Sequence, residues 1–439
     1  MRIRATRWAA GAALLTASSL LAACGGSGSS DTASSSAAGG GAAAATERGP
    51  ITYVQGKDVS GTVQAQLDEW NTAHPNEKVT LVELPDAADA QRQQMIQNAQ
   101  TKSDAYTVLS VDVVWVSEFA ANRWIDELPA DKFNLDKMLP AITETAKYRD
   151  KVYSVPASSD GGLLYYRTDL LKAAGIAAPP KTFEEMQATC TTVQATPEGK
   201  GIGCFAGQYE KYEGLTVNFA EAINSAGGVI TDSSGKPNVN TAEAKAGVNA
   251  LVDGFKSGFI AKEAITYREE PGRQAFQAGK LLFHRQWPYQ FSLANKTDGS
   301  SKVAGKFAVT ALPGIGSAAG ASSLGGHNVA VSSFAKNKAT AIDFISWFTS
   351  EANQRTNLTK NSNAPTFTAL YDDPALAEQF PYLPALKASI EHAVPRPKVV
   401  KYGDVTAAIQ DAAYAALTGA KTTDAALAEL QDKLTTLTQ

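Results

Sequence analysis

Histidine is scarce in this chain. Its 439 residues hold four, His74, His284, His327 and His392, with no pair at helical spacing. That excludes paired-histidine zinc motifs, so no metal is expected. A Gly-x-Ser-x-Gly nucleophile elbow is absent. No phosphate loop is present either, and Gly279-Lys280 is followed by Leu281. Gly314-x-Gly316 is followed next by Gly320, one residue too late for a dinucleotide fingerprint. No cofactor and no catalytic role are therefore expected. Basic residues are not in excess, with 40 Lys and Arg against 44 Asp and Glu, so nothing attracts a phosphate backbone and no nucleic acid partner is expected. Beyond residue 24 no run approaches the roughly 20 apolar residues that a membrane helix needs. The three cysteines are Cys24, Cys190 and Cys204.

What is present begins with an export signal. Arg2, Arg4 and Arg7 form a basic start, and Trp8 to Leu21 is apolar but rich in Ala and Ser. Leu21-Ala22-Ala23-Cys24 resembles the bacterial lipobox, which is cleaved before the cysteine and lipidated on its thiol. Residues 1–23 read as a lipoprotein signal peptide and Cys24 as a lipid anchor. That places the protein outside the cytoplasm, held to the cell membrane by lipid alone. Residues 24–48 are mostly Gly, Ser, Ala and Thr, which bury too little apolar surface to order themselves, and read as a flexible tether. In an oxidising exterior, Cys190 and Cys204 read as a disulfide.

The ordered part exceeds the size at which one core stops growing, which predicts two lobes. Ile51–Val54 and Val79–Leu84 read as strands. Between them Val63, Leu67 and Trp70 form a helical stripe that ends at Pro75. Helical Gln91–Gln100 and an apolar strand Val111–Val116 follow. The βαβ alternation predicts a largely parallel sheet covered on both faces. A second α/β region begins with the strand Leu163–Tyr166. Thr182 and Glu185 form a capping box for the helix that contains Cys190. Further strands are expected at Leu281–Phe283, Phe307–Leu312 and Val329–Val331. Helices are expected over Ala341–Phe348, with Ile342, Ile345 and Trp347 available to the core, and at the Leu-rich C-terminus.

Polar and aromatic residues stand out at strand ends. Asp112 sits in an apolar strand, where an acid is costly unless paired or bound. Asp160 precedes Gly161-Gly162, Trp287 and Tyr289 flank Pro288, and Arg396 lies between Pro395 and Pro397. Each has a plainer reading: a salt-bridged acid, a turn aspartate, core aromatics, a surface arginine. Together they match sugar chemistry. Aromatic rings cover the C–H faces of a pyranose, carboxylates accept from its hydroxyls, and an arginine supplies a fork of donors.

Six segments carry a wider resemblance: Asp112–Trp115, Tyr153–Tyr166, Tyr212–Leu215, Phe283–Tyr289, Leu324–His327 and Ala393–Pro397. Through them the chain resembles family 1 extracellular solute-binding proteins of ABC importers, in the trehalose/maltose-binding branch. The resemblance implies a two-lobed α/β fold of the type II periplasmic-binding-protein kind with three interlobe crossings. It places the N-terminal lobe at 49–157 and 312–364 and the C-terminal lobe at 158–311 and 365–439. It implies an α-linked disaccharide or oligosaccharide held by Asp112, Asp160, Trp287, Tyr289, Gly326 and Arg396. Asp58 is a candidate for a first-loop acid, and His327 stands where some relatives place a tryptophan. Ser158 stands where some place a tyrosine. The expected partners are a small sugar and the importer's membrane permease subunits, and the protein is expected to act as a monomer. Competing readings are a receptor for a polyol or other solute, a cell-surface glycoside hydrolase using Asp112 and Asp160, and a lipoprotein without ligand.

Overall fold

A computed structural model describes residues 46–438. The expected signal segment, Cys24 and nearly all of the 24–48 tether lie outside these residues. At the tether's far end Arg48 is already engaged, donating to Glu77 Oε1 at 2.8 Å and to Asp343 Oδ2 at 2.8 Å.

The fold is a two-lobed α/β architecture built on two sheets. The strands that carry it are, in chain order, β1 (Ile51–Gly56), β2 (Val79–Leu84), β3 (Val108–Asp112), β4 (Val155–Pro156), β5 (Asp160–Gly161), β6 (Leu163–Arg167), β7 (Gly203–Ala206), β8 (Leu281–Gln286), β9 (Phe307–Ala311), β10 (Leu324–Gly325) and β11 (His327–Val331). The first sheet has the order β2-β1-β3-β11-β4 and the second β9-β6-β8-β7. A short β10-β5 ladder lies between them in the chain. The chain leaves the first sheet after Pro156 and re-enters it at His327. β1 runs parallel to both β2 and β3, as the βαβ alternation requires. β11 closes antiparallel onto both β3 and β4, and in the second sheet β6 pairs antiparallel with β8 and β9 while β7 runs parallel to β8, so the sheets are mixed rather than largely parallel as expected.

Helices bury the sheets because their apolar residues recur on one face. Leu67 and Trp70 of the helix Val63–Ala73 are buried. Trp70 meets Phe344 edge-on at 5.4 Å between centroids, and Phe348 lies 4.9 Å from Tyr53 of β1. In the helix Lys338–Phe348, Ile345 is fully buried, whereas Ile342 and Trp347 are only partly covered and Phe344 takes the inner place. In the second lobe every residue of the helix Glu213–Ser225 is buried. Thr182 caps the helix Phe183–Gln194 by accepting from Glu185 N at 3.1 Å. The Glu185 carboxylate reaches back to Lys181 N rather than to the cap residue itself. Cys190 in that helix is disulfide-bonded to Cys204 of β7, with Cα atoms 5.6 Å apart.

One boundary differs from the expectation. The apolar run Val111–Val116 is not a continuous strand. β3 ends at Asp112, and a helix begins at Val116. Asp112 Oδ1 accepts from Val114 N at 3.1 Å, and its carbonyl accepts from Trp115 N at 2.9 Å. An aspartate that bonds the backbone two residues on makes a turn, and here it stops the strand. Asp112 therefore stands at the strand's C-terminal end, where open α/β sheets place ligands. Among the described residues no helix is long and apolar enough to cross a membrane.

Candidate functional site

Strand register assembles the candidate residues. Pairing of β11 with β3 sets His327 opposite Asp112, and pairing of β10 with β5 sets Gly325 opposite Asp160. Gly326 turns the chain between β10 and β11 at φ 115°, a conformation that side chains disfavour. A Cβ there would also stand 2.4 Å from the Ser158 carbonyl oxygen. β8 ends at Gln286 and delivers Trp287 and Tyr289 to the same region.

These residues wall two adjoining chambers, an inner one of about 320 Å³ and an outer one of about 590 Å³. The inner chamber takes Asp112, Asp160, Trp287, Tyr289, Gly326, His327 and Arg396. The outer takes Asp58 and shares Ser158, Tyr289 and His327 with the inner. All eight candidates thus reach the same cleft, but their side chains are engaged differently.

Arg396 is 4% exposed. Its Nη2 donates to Asp112 Oδ1 at 2.9 Å, and its Nη1 donates to Glu213. Burial alone would lower its pKa, but the charges of Asp112 and Glu213 outweigh burial and hold it well above the ordinary value. Glu213 also accepts from the Tyr402 hydroxyl and from Thr406 Oγ1 at 2.7 Å. Burial nonetheless pushes the Glu213 carboxyl up to about 7, with Arg396 opposing the shift. Two acids and one arginine therefore form a desolvated cluster at the chamber wall. Such a cluster holds its geometry because losing any member strands a buried charge.

Asp160 is different. Among the described residues no protein group donates a hydrogen bond to its carboxylate. Burial pushes that carboxyl up to about 7, with the charge of Arg285 only partly opposing. An acceptor with no protein partner, facing a cavity, is available to a ligand's donors. Trp287 is backed by Arg285, whose guanidinium carbon lies 3.8 Å from the ring centroid. Arg285 is itself fixed by Glu221, with Nε to Oε2 at 2.7 Å, and by Gln208 Oε1 at 3.1 Å. Tyr289 donates from its hydroxyl to Glu270 Oε1 at 2.8 Å, and Glu270 is paired with Arg273. Asp58 lines the outer chamber, yet its carboxylate is committed to its own turn. Its Oδ1 accepts from Ser60 N at 2.8 Å and Gly61 N at 3.1 Å, and its Oδ2 from Val63 N at 2.9 Å. His327 is exposed toward the cleft and donates from its backbone N–H to Ser158 Oγ at 3.1 Å.

Sequence reasoning missed Glu213, Glu270 and Arg285. Arg285 had a signal, since it is a charged residue in a strand that begins Leu-Leu-Phe and lies two residues before Trp287. Glu213 lay in one of the six segments of the resemblance without being given a role, and Glu270 had only its place in the first turn of a helix, which is common for acids. Among the described residues no cluster of His, Cys, Asp and Glu is arranged to hold a metal ion.

Comparison with known proteins agrees with this architecture. The family model described as bacterial extracellular solute-binding protein matches residues 55–355. The "Probable ABC transporter-binding protein" of Deinococcus radiodurans is 33% identical over 374 residues, covering 84% of this chain and 88% of the relative. The "Mannitol-binding protein" of Pseudomonas aeruginosa is 23% identical over 290 residues, 64% of each chain. The solved structure of T. maritima MalE3 bound to maltose superposes with a TM-score of 0.83 at 31% identity, covering 88% of this chain and 99% of that one.

Proposed function

Because the chain belongs to the bacterial extracellular solute-binding proteins, we propose that it is the substrate-binding component of an ABC importer and captures an α-linked disaccharide or oligosaccharide of the trehalose or maltose type. The observation that carries this reading is Asp160, a carboxylate without a protein donor, in one chamber with the indole of Trp287. A sugar ring offers what that chamber lacks, namely hydroxyl donors for the acid and a C–H face for the indole. Asp112, Tyr289, Gly326, His327 and Arg396 complete the proposed site, with Asp58 supporting the loop at its mouth. The name of the D. radiodurans relative and the maltose held by the T. maritima protein support the importer and sugar assignments. The P. aeruginosa relative makes a polyol the alternative ligand.

In this reading the lobes divide at 49–157 with 312–364, and at 158–311 with 365–439. Ligand binds one lobe, the other rotates onto it, and the closed form docks on the permease. Binding free energy drives closure only insofar as ligand prefers the closed form. Cys24 carries the lipid that holds the receptor at the membrane, and the protein works as a monomer.

The test is thermal stability of the full-length protein against trehalose, maltose, sucrose, longer α-glucans, mannitol, ribitol and amino acids. A ligand at 100 times its dissociation constant adds about 2.7 kcal/mol, which raises the melting temperature measurably. The expected result is a shift with an α-linked disaccharide. A shift with polyols alone would discard the disaccharide and keep the receptor. A shift with amino acids alone would discard the sugar reading.

A further inference from the structure

The two chambers carry opposite charge. The inner one is walled by six carboxylates and three cationic side chains. The outer one is walled by three lysines, Lys57, Lys296 and Lys360, and a single carboxylate, Asp58. Asp58 gives both oxygens to backbone donors of its own turn, so it neutralises none of the lysines directly. Among the described residues none of the three lysines has a carboxylate within ion-pair distance. Lys57 also borders the inner chamber, whereas Lys296 and Lys360 border the outer one alone.

We propose that the outer chamber is an oxyanion subsite, and that the saccharide held in the inner chamber bears a carboxylate or phosphate on the unit that enters the outer one. This rests on the sugar reading of the inner chamber. Cationic side chains in the wall of a cleft focus potential into it, and ammonium groups hold an oxyanion as point charges. The inner chamber, with its excess of acids, repels the same group, so the ligand has one orientation. The lysines are exposed at the rim, so the preference must weaken as salt shortens the Debye length from about 10 Å at 0.1 M to about 3 Å at 1 M.

The experiment is calorimetric titration of the full-length protein with three probes: the α-linked disaccharide that binds best, its 6′-phosphate, and its 6′-carboxylate. Three exposed contacts of about twofold each compound to about tenfold tighter binding of at least one anionic form at low salt. The tighter of the two anionic probes identifies the group. The double variant Lys296→Gln with Lys360→Gln leaves only Lys57, cuts the anionic preference to about twofold and leaves the affinity for the neutral parent unchanged. Equal or tighter binding of the neutral parent by the unaltered protein overturns the subsite and leaves the sugar reading standing. An anionic preference that stays undiminished at high salt and in the double variant also overturns it. Failure of all three probes to bind sinks the sugar reading, and the subsite with it.

Discussion

Asp160 should cost the empty receptor stability, and Asp160→Asn should return it. Its carboxyl is pushed from an ordinary value of 3.8 up to about 7, mainly by burial. Between those two values the folded protein holds a proton that the unfolded chain has released. Folding stability attributable to this group is therefore lost as pH rises from about 4 to about 7. At about 1.4 kcal/mol per pH unit the loss has a ceiling of about 4 kcal/mol. One side of the carboxylate borders the open cleft, where solvent screens it, so we expect about 1–2 kcal/mol. Asparagine keeps the shape and cannot ionise. At pH 8 the unliganded variant should melt a few degrees above the parent, and at pH 4 the two should coincide. Calorimetric melts at both pH values provide the assay. The same substitution should weaken sugar binding by more than tenfold, because a hydrogen bond to a charged acceptor is worth about 1.5–3 kcal/mol. A variant that is less stable at pH 8, or that differs equally at pH 4 and pH 8, would refute the account of the buried charge. Unchanged sugar affinity would remove Asp160 from the site.

Three further outcomes are expected. Arg396→Met leaves Asp112 and Glu213 without their shared cation, and should destabilise the protein by about 3–5 kcal/mol in urea denaturation at neutral pH. A loss within about 0.5 kcal/mol would show that water reaches the cluster and that it is not desolvated. Trp287→Ala should weaken sugar binding by about 1–3 kcal/mol while barely moving the unliganded melt, since the half-buried ring borders the chamber and is backed by Arg285; titration with the identified sugar decides it. Replacing both Cys190 and Cys204 by Ser opens a loop with a separation of 14 residues, and should cost about 3 kcal/mol of stability without altering affinity.

Much of the framework was readable along the chain. The stripe Val63, Leu67, Trp70, the flanking strands expected at Ile51–Val54, which runs on to Gly56, and at Val79–Leu84, and the Thr182 cap follow from period and turn chemistry, which operate within a few residues. The disulfide was readable for the same reason, since its partners are close in sequence. The end of β3 was not. Val113, Val114, Trp115 and Val116 are all buried whether they form a strand or a turn into a helix, so their hydrophobicity cannot distinguish the two. The bond from Val114 N to Asp112 decided it.

For the candidate site, residue types and strand ends pointed to Asp112, Asp160, Trp287, Tyr289 and Arg396, because unpaired polarity beside apolar runs is visible locally. The sequence by itself thus determined the elements, the cross-link and the residues worth suspecting. Only the tertiary structure decided that Arg396, between two prolines, is buried against an aspartate 284 residues away, while Asp58 is spent on its own turn. It likewise decided that Arg285 backs Trp287 and that Glu213 completes the buried cluster. Period and capping act over one or two turns of chain. Whether a charge is paired, desolvated or free depends on which distant surfaces the whole fold brings against it.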